Sequence, residues 1–445
     1  MRLTIRQCIA AAVIACCTTP SWALDLLTSY RQALINDATF LASRSNLEAT
    51  RENVPQAIAG LLPQVSANGQ YTTNRLDQKV PVLNGTFQRK LNYMAESYNL
   101  SLRQPLYRRA NWAQLSFAEA QVAAAEASFE KDRQDAALRV AGAYFDVLFA
   151  QARVRQLQAQ LEAYEGQLKL SQRAFEAGEG TRTDIDDARS RALQARAALT
   201  EANYSLSSTR RALAALIGRP ADGLADVVPA RLPLNPPEPV KLEAWLQDAE
   251  QANPELASLR HQVEMARQDV ERQRAGHHPT VDIIAGRSFG SNQSSAEINQ
   301  RNTIDYLGVQ VAVPIYSGGA ISSAVRQAAY NLNRAQFQLD AARSRIAVDT
   351  ERNYSGVTQG VEKVRAFEAA LEAANQAVIS TRIGVGAGTR TTVDVLNAIQ
   401  RAAESQMNLA QARYDFLQYR LRLAADAGQL DDTLFEKINT ALGAP

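Results

Sequence analysis

The chain has 445 residues, 46% of them hydrophobic, and a formal net charge of +2. Arg2 and Arg6 account for that excess, since the other 46 basic side chains match 46 acidic ones, and no basic block stands out to suit nucleic acid as a partner. The only cysteines are Cys8, Cys16 and Cys17, so the rest of the chain has no thiol for a disulfide, for catalysis or for a metal, a pattern suited to an oxidising periplasm.

Residues 1–23 read as a secretory signal. Arg2 and Arg6 form a positive start, Cys8 to Cys17 an apolar run too short to span a bilayer, and Ser21 and Ala23 the small residues of a cleavage site, with Leu24 as the mature start. Val13-Ile14-Ala15-Cys16 also resembles a lipoprotein box, which would place a lipid on Cys16. No later stretch reaches the roughly 18 uncharged apolar residues of a transmembrane helix, so a membrane-embedded mature chain must be a β-barrel.

The remainder is written twice, at an offset of about 208 residues. Gly178-Glu179-Gly180-Thr181-Arg182-Thr183-Asp184-Ile185-Asp186 returns as Gly386-Ala387-Gly388-Thr389-Arg390-Thr391-Thr392-Val393-Asp394. Gln104-Pro105-Leu106-Tyr107 returns as Val313-Pro314-Ile315-Tyr316, and Leu41-Ala42-Ser43 as Leu256-Ala257-Ser258. The first repeat covers 24–228 and the second 241–430, with a Pro-rich linker at 229–240 and a C-terminal tail at 431–445.

Each repeat opens with a helix of about 36 residues (25–60 and 241–276). Two strands follow around a polar loop: 63–74 and 93–104 around 75–92, then 280–289 and 304–313 around 290–303. Tyr98, Leu100 and Leu102 alternate with Asn99, Ser101 and Arg103, the period of a strand with two unlike faces. Pro105 and Pro314 are expected to end strands. Tyr93, Tyr107, Phe289 and Tyr316 suit either an interfacial aromatic girdle or packing at the strand–helix junction.

Very long helices come next, 106–177 and 319–385, free of proline. Leu157, Leu161, Tyr164, Leu168 and Phe175, and likewise Val357, Val361, Val364, Leu371 and Val378, are spaced as a coiled-coil seam. Gly-containing turns lead to return helices at 184–217 and 392–427. At 1.5 Å per residue the long helices reach roughly 100 Å, far beyond a globular core. Each return helix stacked on an opening helix would match that length.

Four strands of about 10 residues can cross a bilayer, but open edges are forbidden in lipid and the smallest barrels need about eight strands. Closure therefore demands several chains, and three copies give 12 strands around a real lumen. The fold class is mainly α with a small β part: long antiparallel helical hairpins, plus four strands contributed to a trimeric 12-stranded transmembrane barrel, with an internal two-fold repeat.

This plan, the Pro-x-Tyr strand exits and Gly388-Thr389-Arg390-Thr391-Thr392-Val393-Asp394-Val395-Leu396 resemble the TolC family of trimeric outer-membrane efflux and secretion factors. The resemblance implies a homotrimer in the outer membrane with a helical tunnel crossing the periplasm. A periplasmic adaptor and an inner-membrane transporter, of the ABC type in protein secretion, would be its partners. It also implies a gate at the helix-to-helix turns, in which Arg390 faces Thr183 and Asp184 of another hairpin and Asp394 lines the constriction. Gly178, Gly180, Thr181, Gly386, Gly388 and Thr389 would meet the adaptor. Two departures stand out: Val385 where well-known members have a Tyr, and Asn397 at the next acidic position of the entrance ring. The same residues also read as local structure, with Thr183 and Thr391 as helix N-caps, Asp184, Asp186 and Asp394 at positive dipole ends, and the glycines as turn-formers.

Enzyme signals are weak. Gly286-Arg287-Ser288-Phe289-Gly290 has the spacing of a nucleophile elbow, but no His follows His278 and no helix is expected after Ser288. His277-His278 lacks the spacing of a closed metal site. No cofactor is expected. The favoured reading is a passive export conduit of the type I, protease-secreting kind. The alternatives are a multidrug efflux factor and, more distantly, a periplasmic coiled-coil scaffold.

Overall fold

A computed structural model of the chain describes residues 24–83, 85–292 and 300–443; the signal segment, its cleavage site at Ala23 and Cys16 lie outside them. In chain order, helices α1 (Leu26–Asn36), α2 (Ala38–Arg51) and α3 (Asn53–Ala59) lead into strands β1 (Gln64–Val82) and β2 (Gly85–Arg108), then α4 (Arg109–Glu176) and α5 (Arg182–Ile217). The second half runs α6 (Leu242–Ala252), α7 (Pro254–Arg274), β3 (Thr280–Asn292), β4 (Gln300–Ala312), α8 (Ala320–Gly386) and α9 (Thr392–Asp426), and closes on α10 (Asp432–Ala441). Among the described residues no helix is long and apolar enough to cross a membrane. The described residues divide into two compact units, and each draws on both repeats: one takes those within 44–129 and 254–343, the other those within 24–43, 130–253 and 344–443.

The first of these units holds the strands as one antiparallel sheet in the order β1-β2-β3-β4. Residues directly opposite in an antiparallel pair share a face. The register therefore puts Val65, Ala67, Leu100, Leu102, Ile283, Leu307 and Val309, together with the Arg287–Asp305 ion pair, on one mainly apolar face and Ser66, Asn68, Asn99, Ser101, Ser288, Asn302 and Gln310 on the other. The apolar face is open: Val65 and Val309 are each 65% exposed and Leu307 80%. β1 and β4 each leave one edge unpaired.

Two expectations are corrected in this unit. The 75–92 segment is not a loop but the outer part of a hairpin paired from Gln64↔Arg103 to Val82↔Gly85. Gly85 pairs with Val82 and takes φ 144°, a conformation that favours glycine, so the strands continue up to this tight connection and reach 19 and 24 residues. β3 and β4 likewise extend to Asn292 and from Gln300, and the rest of the expected second loop, 293–299, lies outside the described residues. Pro105 does not end its strand. It sits inside β2 beside a register shift between Pro105 and Tyr107, where a bulge tolerates a residue without an N–H. The bulge rephases the side chains, so Arg103 and Arg108, five positions apart, both reach the buried Asp282 on β3, at 2.5 and 2.6 Å.

The second unit is helical. Its core gathers Tyr144, Phe145 and Leu148 of α4, Leu213 and Ile217 of α5, and Phe416, Leu417 and Leu421 of α9. The seam positions Leu157, Tyr164, Val357, Val361 and Val364 are buried, whereas Phe175 is 44% exposed. The Pro-rich linker is packed, with Leu232 buried and Pro239 O accepting the Trp245 indole N–H at 2.7 Å. The expected C-terminal tail is instead α10. Asp431 caps it, accepting the Leu434 N–H at 3.0 Å, and Phe435 and Ile438 enter the core. Phe435 stacks on Tyr30 at 4.9 Å, and Asn439 Oδ1 accepts the Leu26 and Leu27 N–H groups, so α10 holds the start of α1.

The opening helices are broken where single helices were expected. α1 ends at Asp37 and α6 at Asn253, each donating its N–H to the carbonyl four residues back. Asp37 Oδ1 then accepts the Thr39 N–H at 2.9 Å, the local competition with helix that Asx side chains offer. A further break at Glu52 separates α2 from α3.

Candidate functional site

Both hairpin turns use the same backbone. After α4, Gly178 takes φ 79°, its N–H bonds to Phe175 O at 3.0 Å, and the Glu179 N–H bonds to Ala174 O at 2.8 Å. After α8, Gly388 takes φ 71°, its N–H bonds to Val385 O at 3.0 Å, and the Thr389 N–H bonds to Gly384 O at 2.9 Å. A left-handed residue at this position favours glycine. The return helix then starts with a capping box each time. The Thr181 hydroxyl accepts the Asp184 N–H at 3.2 Å while Asp184 Oδ2 accepts the Thr181 N–H at 3.1 Å. For Thr391 and Asp394 the two distances are 3.3 and 2.9 Å.

These bonds reset the correspondence between the turns. Gly178 matches Gly388, Thr181 matches Thr391 and Asp184 matches Asp394, an offset of 210, not the 208 that maximal sequence identity suggests. The first N-cap is therefore Thr181; Thr183 lies in the first turn of α5. Asp186 is no cap partner and lies 3.7 Å from Arg182. Gly386 is the last residue of α8, and a Cβ there would meet nothing within 4 Å. Arg390 occupies the place of Gly180.

The charges differ accordingly. Arg390 is exposed, and among the described residues its guanidinium has no hydrogen-bond or ion-pair partner; neither Thr183 nor Asp184 reaches it within the chain. The Thr391 N–H and hydroxyl hold the Asp394 carboxyl below the usual carboxylate range, and Arg390 and Arg401 add to that effect. Val385 packs against a small core of Tyr164, Ala188, Ala192, Ala195, Val395, Leu396 and Ile399, so it serves the hairpin interior. Asn397 accepts from Arg191 Nη2 at 3.0 Å, and Arg191 also donates to Gln400 Oε1, tying α5 to α9. Sequence reading missed Arg191; its place two helical turns after Asp184 was the available signal.

At the strand ends, Tyr107 is 43% and Tyr316 88% exposed, while Phe289 stacks on Tyr98 at 6.2 Å. Tyr93 is half-buried on β2, and Pro314 follows the end of β4. Ser288 lies within β3, not at a strand-to-helix turn. The convergence of Arg103 and Arg108 on Asp282 was also invisible in the sequence, because only the bulged register brings them together.

The chain matches the outer membrane efflux protein family over residues 29–219 and 245–429. It is 33% identical over 420 residues to the alkaline protease secretion protein AprF of Pseudomonas aeruginosa, covering 94% of this chain and 87% of that one. It is 33% identical over 416 residues to the proteases secretion protein PrtF of Dickeya chrysanthemi (92% and 89% covered), and 30% identical over 438 residues to the outer membrane protein TolC of Vibrio cholerae (97% of each). Among solved structures, the outer membrane protein VceC of Vibrio cholerae shares the fold with a TM-score of 0.75 at 18% identity, covering 91% of this chain and 97% of that one.

Proposed function

The chain belongs to the outer membrane efflux protein family, and from that premise we propose that it is the outer-membrane conduit of a type I system secreting a protease. The protein is an outer-membrane channel component of a Gram-negative export system, with a helical tunnel and a β-barrel. It works passively; energy comes from the inner-membrane transporter, of the ABC type, reached through a periplasmic adaptor.

Trimerisation rests on the sheet. In a four-strand antiparallel order β1 and β4 run in opposite directions, so β4 of one copy can pair antiparallel with β1 of the next. Three copies then close 12 strands, clearing the roughly eight-strand minimum, with apolar faces toward lipid and polar faces toward the lumen. This amphipathic sheet with two free edges is the observation that carries the reading. The protease cargo is supported by AprF and PrtF, each 33% identical over nearly the whole chain. A strain lacking the gene is expected to lose extracellular protease and to regain it with the gene restored. Retained secretion together with new sensitivity to small toxic compounds would favour the efflux reading, which the family's own description also suits.

The turns are the proposed gate. Arg390 would close onto Thr183 and Asp184 of another hairpin, Asp394 would line the opening, and the Gly178–Thr181 and Gly386–Thr389 segments would receive the adaptor. Arg390→Ala and Asp184→Ala channels in planar bilayers are expected to conduct more than the parent; equal conductance would remove the lock.

A further inference from the structure

At position 384 helix α8 lacks a side chain, and the space is filled by Arg390. A Cβ built on Gly384 would lie 2.7 Å from Arg390 Cγ, 3.3 Å from Arg390 Cβ and 3.4 Å from Thr389 Oγ1. The atoms met are the root of the arginine, not its mobile end, so only a change of χ1 that reorients the whole Arg390 side chain, or a shift of the turn, relieves the overlap. The Gly384 carbonyl meanwhile accepts three bonds: the Thr389 N–H at 2.9 Å, the Arg390 N–H at 3.2 Å and the Thr389 hydroxyl at 3.1 Å. Backbone and side-chain root of Arg390 are thus both seated on one residue.

The other turn shows the complementary choice. Ala174 stands where Gly384 does, and Gly180 where Arg390 does. A Cβ on Gly180 would lie 3.0 Å from Phe175 N and 3.2 Å from the Ala174 Cβ. One turn therefore combines a helix methyl with a bare turn residue, the other a bare helix residue with a long cationic side chain. We infer that Gly384 is a positioning residue for Arg390, the notch in α8 that lets the second turn present a cation where the first cannot. Its role in gating rests on the lock reading given above; its role in seating Arg390 does not.

Alanine is the better helix former, so Gly384→Ala leaves helix α8 intact, and any loss must come through the turn. Gly384→Ala channels in planar bilayers are expected to gain conductance to about the level of Arg390→Ala, although the charge is retained, and Gly384→Ala/Arg390→Ala is expected to gain no more than Arg390→Ala alone. If Arg390→Ala opens the channel and Gly384→Ala matches the parent, the inference is overturned and the lock stands. Limited trypsin digestion of the detergent-solubilised protein reads the seating without reference to gating. Cleavage after Arg390, followed by mass spectrometry, is expected to run several-fold faster in Gly384→Ala than in the parent. Equal cleavage rates overturn the inference even where neither variant alters conductance.

Discussion

The two halves of the chain repeat their backbone and differ in their charges. At the turns, the left-handed glycine and the Thr–Asp capping box occur in both, while Gly180 faces Arg390 across the repeat. At the helix breaks, Asp37 and Asn253 end α1 and α6 alike, but their polar partners diverge. Asp37 is buried and takes an ion pair from Arg139 at 2.6 Å. Asn253 instead donates to the backbone carbonyl of Asp426 at 3.0 Å, and Asn353 donates to the Asp426 carboxyl at 2.7 Å. Backbone positions are fixed by conformation and tolerate few residues, whereas side chains at those positions can change once a second copy exists. The two repeats share the former and differ in the latter.

The largest test is at the first break. Arg139→Ala leaves a carboxylate that is 4% exposed without its cation. Removing one partner of a buried pair is costly; with Arg139 itself 39% exposed, a loss of about 2–3 kcal/mol is expected. Asn253→Ala removes a neutral hydrogen bond and is expected to lose only ~1 kcal/mol. Thermal unfolding followed by circular dichroism would rank them, and equal losses would erase the contrast. Hydrogen bonds from Arg139 and Thr39 outweigh burial and hold the Asp37 carboxyl below its ordinary value of 3.8. Its contribution is therefore present above that pH and lost as pH falls through the lower folded value, so the Arg139→Ala deficit should shrink in acid.

The second break has the opposite pH sign. Burial pushes the Asp426 carboxyl from 3.8 up to about 6, against the hydrogen bond from Asn353; Asp349 raises it further, and Arg345 and Arg422 lower it. A raised carboxyl favours the protonated folded state, so stability is greater below the unfolded value of 3.8 and declines as pH rises to about 6. Asp426→Asn keeps an acceptor for Asn353 and removes the charge. It is expected to gain ~2 kcal/mol at pH 8 and nothing at pH 3, read as a rise in Tm. A Tm gain that did not vary with pH would show that desolvation of this carboxylate is not what separates the two breaks.

Much of this architecture was legible because periodicity reports burial. The alternation through Tyr98–Arg103 marks the apolar face of the sheet, and the seam positions in the two long helices mark faces that are covered, without knowledge of what covers them. Failures came where geometry outranks pattern. Gly178 was matched to Gly386 because residue identity is highest there, yet the equivalent of Gly178 is the residue with positive φ, Gly388. Asp431–Ala441 is short enough to pass for a tail until Phe435 is seen against Tyr30. Asp282 is 174 positions from Arg108, and no local pattern announces a bulge that joins them.

The smallest expected effect tests the shared part of the plan. Thr181→Ala and Thr391→Ala each remove the hydroxyl that accepts the Asp N–H three residues on. N-cap losses are typically ~1 kcal/mol, so hydrogen exchange in the first turns of α5 and α9 should accelerate by similar factors in the two variants. The carboxylates Asp184 and Asp394 remain in both and can still accept from the cap backbone N–H, which keeps each loss partial. What should differ is conductance. The second cap lies next to Arg390, the cation of the proposed lock, whereas the first touches the lock only through Asp184, whose carboxylate stays in place, so Thr391→Ala is expected to open the channel modestly and Thr181→Ala to leave it nearer the parent. If exchange accelerated at one turn alone, the two boxes would not be equivalent, and the 210-residue correspondence would lose its energetic meaning. If exchange accelerated equally and conductance rose equally, the caps would act only by firming the ends of their helices, and Arg390 would give the second turn no special standing.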